Sequence, residues 1–415
     1  MVLGTANGWQ NYSITSEPCR AYDLLINAGV SSDHLIYMSY TENYKDKYNP
    51  FPYTMYTDPG SGDNLKDYAK QCYDHFDYKD EDITPELFIA LLSGDEEKVK
   101  SITGKTNPKV LKSTEEDSIF IYFIDHGDED LIYVGEGIVT STQLIESIQS
   151  LHMKHMYKDL VFFMEACHSG SMFKSLPKGL NTYIFTSSME GKNAAMSNCP
   201  PYDRINGIQM DTCLGGLYDN LWMSKVENTN QGNISLYDIY TYVFEEVRYK
   251  SGQTPSLYGD IESMKSKLIS EFIGTNIIVN TTQINTSSSS SNTPHGIIPL
   301  DQVPLHLAKW KAIRSSKEQL NNEMNKLVAL QLQEIKHDII MMKIAIQYTH
   351  NEIIAQSLHT LSANKYDQHC YINAIQNLMK KCHFSIPLKE DHSNIIKNLC
   401  SLNNNNDLNV DTFCI

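Results

Sequence analysis

Two uninterrupted apolar runs constrain the fold of this chain most strongly. Ile119–Ile124 and Leu160–Met164 contain six and five residues, and both are rich in β-branched and aromatic side chains. Runs of this length are too short to span a membrane, and they are typical of strands buried on both faces of a sheet. They predict an α/β fold in which a mainly parallel sheet is flanked by helices.

A histidine and a cysteine follow where these runs end. His126 and Gly127 come after the first run, and Cys167 comes shortly after the second. In open α/β sheets the chemistry lies at the carboxyl ends of the strands. A cysteine attacks as the thiolate, and a nearby imidazole can take its proton. The N–H groups of Gly127 and Cys167 could form an oxyanion hole. The pattern favours nucleophilic catalysis, although a buried structural cysteine would also fit it.

Three blocks of sequence resemble the signature segments of the legumains, the asparaginyl endopeptidases of the caspase-like clan of cysteine peptidases. They are residues 7–12, 120–127 and 165–172, within a resemblance that covers about residues 4–270 and resumes in the tail. The related GPI-anchor transamidase subunit typically has threonine before its cysteine, where this chain has Ala166. The resemblance implies a caspase-like sheet followed by an all-α C-terminal prodomain.

The resemblance also implies roles for individual residues. Cys167 matches the nucleophile, His126 the general base and acid, and Gly127 an oxyanion-hole donor. Asn11 matches an asparagine that orients the histidine, and the alternatives for it are a loop residue or a glycan acceptor, because it begins a formal sequon. The reaction would pass through a thioester acyl-enzyme that water or a peptide amine resolves. No metal and no organic cofactor is implied.

The positions implied in substrate binding depart from the family pattern. Glu165 is kept, but Ser13 and Ile14 stand where the family has an Arg-His pair. The serine pair of the family aligns near Ala194 and Ala195, and its pocket aspartate aligns at or near Gly216. A pocket that lacks polar partners discriminates poorly between substrates. We therefore expect the preference for asparagine to be relaxed or shifted, with Glu165 able to accept an amide or a basic side chain.

The charge of the chain limits its partners. A net charge of −16 argues against nucleic acids and anionic membranes, since both require basic surfaces. The resemblance implies protein or peptide substrates. His152 and His155 lack an acidic or thiol partner at matching spacing, and we expect them at the surface rather than at a metal. His168 is expected to be an exposed turn residue, with a second titrating group near the thiol as the alternative.

The composition changes in residues 275–302, a Ser/Thr-rich stretch that ends in prolines. It predicts an exposed flexible linker, open to a cut after Asn285 or Asn292 if an asparagine preference persists. The linker separates a catalytic domain, residues 1–274, from residues 303–415. Apolar residues at helical spacing predict a helical bundle in this last part, among them Leu320, Met324, Leu327 and Leu330. In legumains the corresponding region is an activity-modulating prodomain, which implies a zymogen inhibited by its own C-terminal domain.

Nine cysteines fit one free thiol plus pairs. The resemblance implies that the tail cysteines pair as Cys370–Cys400 and Cys382–Cys414, whereas the sequence alone permits three connectivities. Among the others, Cys199 and Cys213 form a local bridge, or all remain buried thiols. Disulfides imply an oxidising route, and the sequons at Asn233, Asn280 and Asn285 permit it. The resemblance implies a lysosome-like or vacuolar compartment, or secretion.

The N-terminus provides only Val2 and Leu3 for a first strand and no signal peptide, so we expect a truncated chain, with a cytosolic protein as the alternative. The short strand and the lost pocket residues also fit a weak or inactive homologue that acts as a binding or regulatory module. The set of Asn11, His126 and Cys167 favours an enzyme. The prediction is a legumain-like cysteine endopeptidase made as a zymogen, with the binding module or a peptide ligase as alternatives.

Overall fold

The chain forms two compact units, Met1–Val303 and Pro304–Ile415. The computed structural model describes residues 1–62, 65–277, 294–360, 363, 365–384, 388–402 and 408–414. The predicted cuts after Asn285 and Asn292, and the sequons at Asn280 and Asn285, lie outside the described residues.

A six-stranded sheet forms the centre of the first unit. The strands of this unit, in chain order, are β1 (Val2–Gly4), β2 (Tyr37–Ser39), β3 (Ser118–Ile124), β4 (Gly127–Asp128), β5 (Leu131–Val134), β6 (Gly137–Thr140), β7 (Asp159–Glu165), β8 (Thr182–Thr186), β9 (Ala195–Ser197), β10 (Arg204–Ile205), β11 (Ile208–Gln209), β12 (Gly215–Gly216), β13 (Ser256–Gly259) and β14 (Ile298–Pro299). The order in the main sheet is β13-β8-β7-β3-β1-β2, and only β13 runs antiparallel to its neighbour. The predicted mainly parallel sheet is confirmed.

Helices cover both faces of this sheet. Those of the first unit are α1 (Tyr12–Ala28), α2 (Glu42–Lys45), α3 (Ala69–Cys72), α4 (Pro85–Leu92), α5 (Glu96–Thr103), α6 (Ser141–Met153), α7 (Leu217–Glu227), α8 (Leu236–Ser251) and α9 (Ser270–Ile273). Alternate side chains of a strand point to opposite faces. Tyr122 of β3 accordingly packs in one core cluster with Trp222 of α7, while Ile121 packs in a second cluster with Leu144 of α6. The two apolar runs are continuous because both faces of their strands are buried.

The end of the first unit differs from the predicted linker. Residues 294–302 are held against β9 by backbone pairing: Ile298 pairs with Met196, and the N–H of Leu300 donates to the Ala194 carbonyl at 2.9 Å. Leu300 is also buried. Apolar side chains inside the segment provide enough burial to order it, although its Ser/Thr-rich surroundings predict an exposed chain.

The second unit is helical. Its helices are α10 (Val303–Arg314), α11 (Leu320–Thr349), α12 (Glu352–Ser357), α13 (Gln368–Cys382) and α14 (Glu390–Leu402). The expected core positions Leu320 and Met324 are 39% and 41% exposed, and the buried part of α11 lies further along, from His337 to Ala345. Helical spacing correctly indicates the helix, but it does not say which of its turns find a packing partner.

Eight of the nine cysteines form disulfides. The tail pairs are those that the resemblance implies, and the first unit holds the local bridge and one that the sequence did not predict: Cys370–Cys400, Cys382–Cys414, Cys199–Cys213 and Cys19–Cys72. Cys167 is the free cysteine. Within the described ranges, no helix has both the length and the apolar character needed to cross a bilayer.

Candidate active site

The register of the central strands brings the predicted histidine and cysteine to the same edge of the sheet. Ile124 at the end of β3 pairs with Glu165 at the end of β7, so His126 and Cys167 both lie just beyond the paired ends. The two loops are in backbone contact. A Cβ added to Gly127 would lie 2.4 Å from the carbonyl oxygen of Cys167. Glycine is therefore required at this position, because any side chain would displace the backbone of the cysteine.

Asn11 fixes the orientation and the tautomer of His126. Its Nδ2 donates to the Asn7 carbonyl at 2.7 Å, which leaves its Oδ1 as an acceptor 3.0 Å from His126 Nε2. The imidazole must then carry its proton on Nε2. The other ring nitrogen, Nδ1, is buried and has no hydrogen-bond partner among the described residues. An unprotonated, unengaged Nδ1 is what a general base requires.

Burial keeps both reacting groups neutral in the resting protein. Cys167 is 0% exposed, and this burial raises the pKa of its thiol well above the ordinary value. The N–H of Ala194, which donates to Sγ at 3.4 Å, acts in the opposite direction, and the charge of Asp301 adds to the rise in pKa. Burial lowers the pKa of His126 to about 4. The site thus contains a thiol and a neutral imidazole, and not a preformed thiolate–imidazolium pair.

Asp125, next to the histidine, is a buried carboxyl that the sequence analysis did not select. Burial raises the pKa of this carboxyl to about 8. Hydrogen bonds from the Thr5 hydroxyl and from the His126 N–H, which donates to Oδ1 at 2.5 Å, lower the pKa by a smaller amount. The side chain of Asp125 thus bonds to the backbone of the catalytic loop through the His126 N–H and, just beyond the end of β1, to the Thr5 hydroxyl.

The positions predicted to bind substrate lie around β9 and α1. Ser13 is buried and its hydroxyl donates to Met196 Sδ at 3.1 Å. Ala195 lies on β9, and its N–H donates to the side chain of Gln253 at 3.0 Å. Ile14 packs within the hydrophobic core beside the sheet. The structure thus places Ser13, on α1, against the strand that contains Ala195, and it places Ile14 in the core.

Two further carboxylates, which sequence reasoning missed, meet Glu165. The N–H of Gly216 donates to Glu17 Oε1 at 3.1 Å, and Asp219 follows Gly216 at the start of α7. Burial raises the pKa of Glu165 well above its usual range, and the negative charges of Asp219 and Glu17 add smaller effects in the same direction. A signal was available: Glu17 stands one helical turn after Ser13, and Asp219 stands three residues after Gly216.

The prediction that His168 is exposed was wrong. The residue has a left-handed backbone with φ 54°, and its side chain is 1% exposed, with Nδ1 3.1 Å from Glu129 Oε2. The positive φ turns the ring inward to this buried partner. His152 is partly buried and His155 is exposed. Across the described ranges, no group of three or more His, Cys, Asp or Glu residues is arranged to hold a metal ion.

A free thiol and an oriented imidazole at the carboxyl edge of an α/β sheet define the class of the cysteine-dependent hydrolases. The particular family follows from comparison with known sequences: the chain belongs to the peptidase C13 family, which matches residues 1–275. The predicted resemblance is confirmed.

Individual relatives agree with this assignment. The chain is 31% identical over 274 residues to a legumain of Canavalia ensiformis, covering 65% of this chain and 56% of the relative. It is 35% identical over 230 residues to a legumain of Mus musculus, covering 55% and 49%. It is 28% identical over 341 residues to a hemoglobinase of Schistosoma japonicum, covering 82% and 74%. The match spans about half the length of the legumains.

Among solved structures, a caspase-1 from Spodoptera frugiperda is 14% identical, with a TM-score of 0.24, covering 34% of this chain and 60% of that one. This score is too low to inform the fold.

Proposed function

We propose that the protein is a cysteine endopeptidase in which Cys167 is the nucleophile and His126 the general base. One observation carries this proposal: Cys167, the free cysteine, lies at the same sheet edge as His126, whose Nδ1 has no hydrogen-bond partner among the described residues and whose Nε2 is held by Asn11. Membership in the peptidase C13 family supports the same reaction class.

In the proposed reaction, Nδ1 of His126 accepts the thiol proton as Sγ of Cys167 bonds to the substrate carbonyl carbon. The backbone N–H groups of Gly127 and Cys167 stabilise the oxyanion. The imidazolium then gives its proton to the leaving amine, the C–N bond breaks, and a thioester remains. Water, deprotonated by Nδ1, attacks the thioester, and the proton returns to Sγ. Asn11 stabilises the imidazolium form by keeping Nε2–H paired throughout.

We propose further that the chain is a zymogen. Strand β9 is paired on one side with β12 and on the other with β14, so residues 294–302 occupy the edge that an extended substrate would otherwise join. The charge of Asp301 in this segment also raises the pKa of the Cys167 thiol. Release of this segment, together with the helical unit as the activity-modulating prodomain, would open β9 and make the thiol easier to ionise.

An acidic compartment, lysosome-like or vacuolar, fits the buried carboxyls of the first unit. Burial raises the pKa of Asp219 to about 7 and that of Asp125 to about 8. Groups of this kind stabilise the folded state at low pH, where they are protonated, and they cost stability as the pH rises. One relative, from Phaseolus vulgaris, is named a vacuolar-processing enzyme, and four disulfides are consistent with an oxidising route.

A thiol-directed peptidyl acyloxymethyl ketone tests the proposal. After incubation of the full chain at acidic pH, the probe is expected to label Cys167, and labelling should be lost in Cys167→Ala and strongly reduced in His126→Ala. Mapping of the new termini by mass spectrometry would locate the activation cut. If neither the incubated chain nor a chain cut before residue 294 shows Cys167-dependent labelling, the protein is a binding module and the proposal fails.

A further inference from the structure

Glu165 is an unusual side chain to find buried without a partner. It is 0% exposed, and neither of its carboxylate oxygens has a hydrogen-bond partner among the described residues. A buried ionised carboxylate without a partner is costly, so such groups are normally paired or bind a ligand. The Ser187 hydroxyl lowers its pKa, but this effect is smaller than those of burial and of the neighbouring carboxylates. Glu165 therefore indicates a place where a ligand group is expected.

Two more carboxylates meet at this place from the helices on the same face of the sheet. Glu17 comes from α1 and Asp219 from α7, and both are fully buried. Glu17 Oε2 and Asp219 Oδ2 have no hydrogen-bond partner within the described part of the chain. The charges of Glu17 and Asp219 both raise the pKa of Glu165. Three buried acidic side chains are thus close enough to act on one another electrostatically.

The charge of Arg20 lowers the pKa of Glu17 and of Asp219, but no cation is among the groups that shift the pKa of Glu165. Arg20 lies one turn from Glu17, but its guanidinium is committed to Glu227 at 2.7 Å, with Asp58 at 3.6 Å and Asn220 at 2.6 Å. The three carboxylates are not arranged to hold a metal ion, and no other group of three or more His, Cys, Asp or Glu residues in the described ranges is so arranged. An organic cation, such as the side chain of a bound peptide, is the remaining complement for three acidic groups.

The cluster adjoins the nucleophile. Glu165 precedes Cys167 by two residues, and its charge contributes to the raised pKa of the thiol. A second connection runs through the backbone, because Ala194 donates to Sγ and the adjoining strand β9 pairs with Gly216, whose N–H donates to Glu17. A substrate side chain next to the scissile carbonyl would therefore reach the carboxylates.

We propose that Glu17, Glu165 and Asp219 form the pocket for the residue on the acyl side of the scissile bond, and that this residue is arginine or lysine. This inference rests on the proposed endopeptidase function and names its substrate class. Ser13 and Gly216 carry small or no side chains beside the cluster, where the resemblance implies arginine and aspartate. Without an arginine at position 13, no cation is among the groups that shift the pKa of Glu165, and pairing with a basic substrate side chain would favour its ionised form.

Four fluorogenic peptides that differ only in this residue (arginine, lysine, asparagine or aspartate) test the inference on the acid-incubated full chain. We expect kcat/KM for arginine or lysine to exceed that for asparagine by about tenfold or more. Glu165→Gln should lower the rate for the basic peptides by about 10- to 100-fold, since it removes a charge-assisted hydrogen bond, and should change the rate for asparagine little. If Glu165→Gln does not fold, Asp219→Asn replaces it as the test variant, with the same expected result, because asparagine keeps an acceptor for the Trp222 N–H.

Asp203→Asn is the matched control, because Asp203 is a buried carboxyl outside the cluster whose pKa burial raises to about 6. It should leave the ratio of basic to asparagine cleavage unchanged. Cys167-dependent cleavage that prefers asparagine or aspartate would overturn the inference and leave the endopeptidase proposal intact. The absence of Cys167-dependent cleavage of all four peptides would overturn the proposed function and the inference with it.

Discussion

Replacement of Asp125 by asparagine should stabilise the first unit, and the gain should grow with pH. Burial raises the pKa of the Asp125 carboxyl from 3.8 to about 8. Between these two values the folded chain holds a proton that the unfolded chain has released, so the free energy of unfolding falls as the pH rises. Asparagine has no such proton. It can still accept from the His126 N–H and donate to the Thr5 hydroxyl, which lies 3.4 Å from the Tyr133 carbonyl oxygen.

The magnitude follows from the span of pH over which only the folded state is protonated. Each unit contributes about 1.4 kcal/mol, so between about pH 5 and about pH 7.5 the advantage of Asp125→Asn should grow by about 3 kcal/mol. Below about pH 4 it should vanish, and above about pH 8 it should be constant. The gain should be absent in Glu116→Gln, which changes an exposed carboxylate.

Urea unfolding followed by tryptophan fluorescence measures this difference. A Trp310→Phe background removes the tryptophan of the second unit, so Trp9 and Trp222 report on the first. The quantity to compare is the free energy of unfolding of variant and parent at each pH, with an unchanged m-value as the check on two-state behaviour. A difference that stays the same from about pH 5 to about pH 7.5 would refute the reasoning that burial holds this carboxyl protonated.

Three further predictions concern the reacting groups. Alkylation of Cys167 by iodoacetamide should accelerate steadily with pH because the thiol pKa is raised and the imidazole is neutral; a rate plateau at acidic pH would indicate a preformed ion pair instead. Asn11→Ala should lower kcat by about 10- to 100-fold with little change in KM, because the orientation of the imidazole is lost; an unaltered kcat would remove Asn11 from the mechanism. Gly127→Ala should cost about 1–3 kcal/mol in urea unfolding and abolish probe labelling of Cys167, since its Cβ meets the cysteine carbonyl; labelling at the parent rate would contradict this contact.

The sheet and the catalytic pair could be predicted from the sequence because their signals are local. Continuous apolar runs mark strands buried on both faces, and the rule that parallel strands present their carboxyl ends at one edge then brings His126 and Cys167 together. The bond from Asn11 to His126 spans 115 residues, and only the family resemblance pointed to it. Its catalytic role stays a prediction.

The acidic cluster could not be found in the same way. Glu17, Glu165 and Asp219 lie on three elements that become neighbours only when α1 and α7 pack on the sheet. The spacing of Glu17 from Ser13 and of Asp219 from Gly216 places each near a predicted pocket position, but it does not show that the three carboxyls meet. His168 shows the same limit at short range, because its inward orientation depends on a single positive φ and on Glu129, which is 39 residues away. The orientation of a side chain that depends on a partner distant in sequence cannot be predicted from the residues next to it.

In the proposed mechanism, cleavage requires Cys167 and ends with the attack of water. Digestion of a peptide library in ¹⁸O-labelled water by the acid-incubated full chain, followed by mass spectrometry, reports both features in one measurement. New carboxyl termini that carry one ¹⁸O atom are expected with the parent chain, and none with Cys167→Ala. Equal cleavage by both chains, or no cleavage by either, would contradict the mechanism.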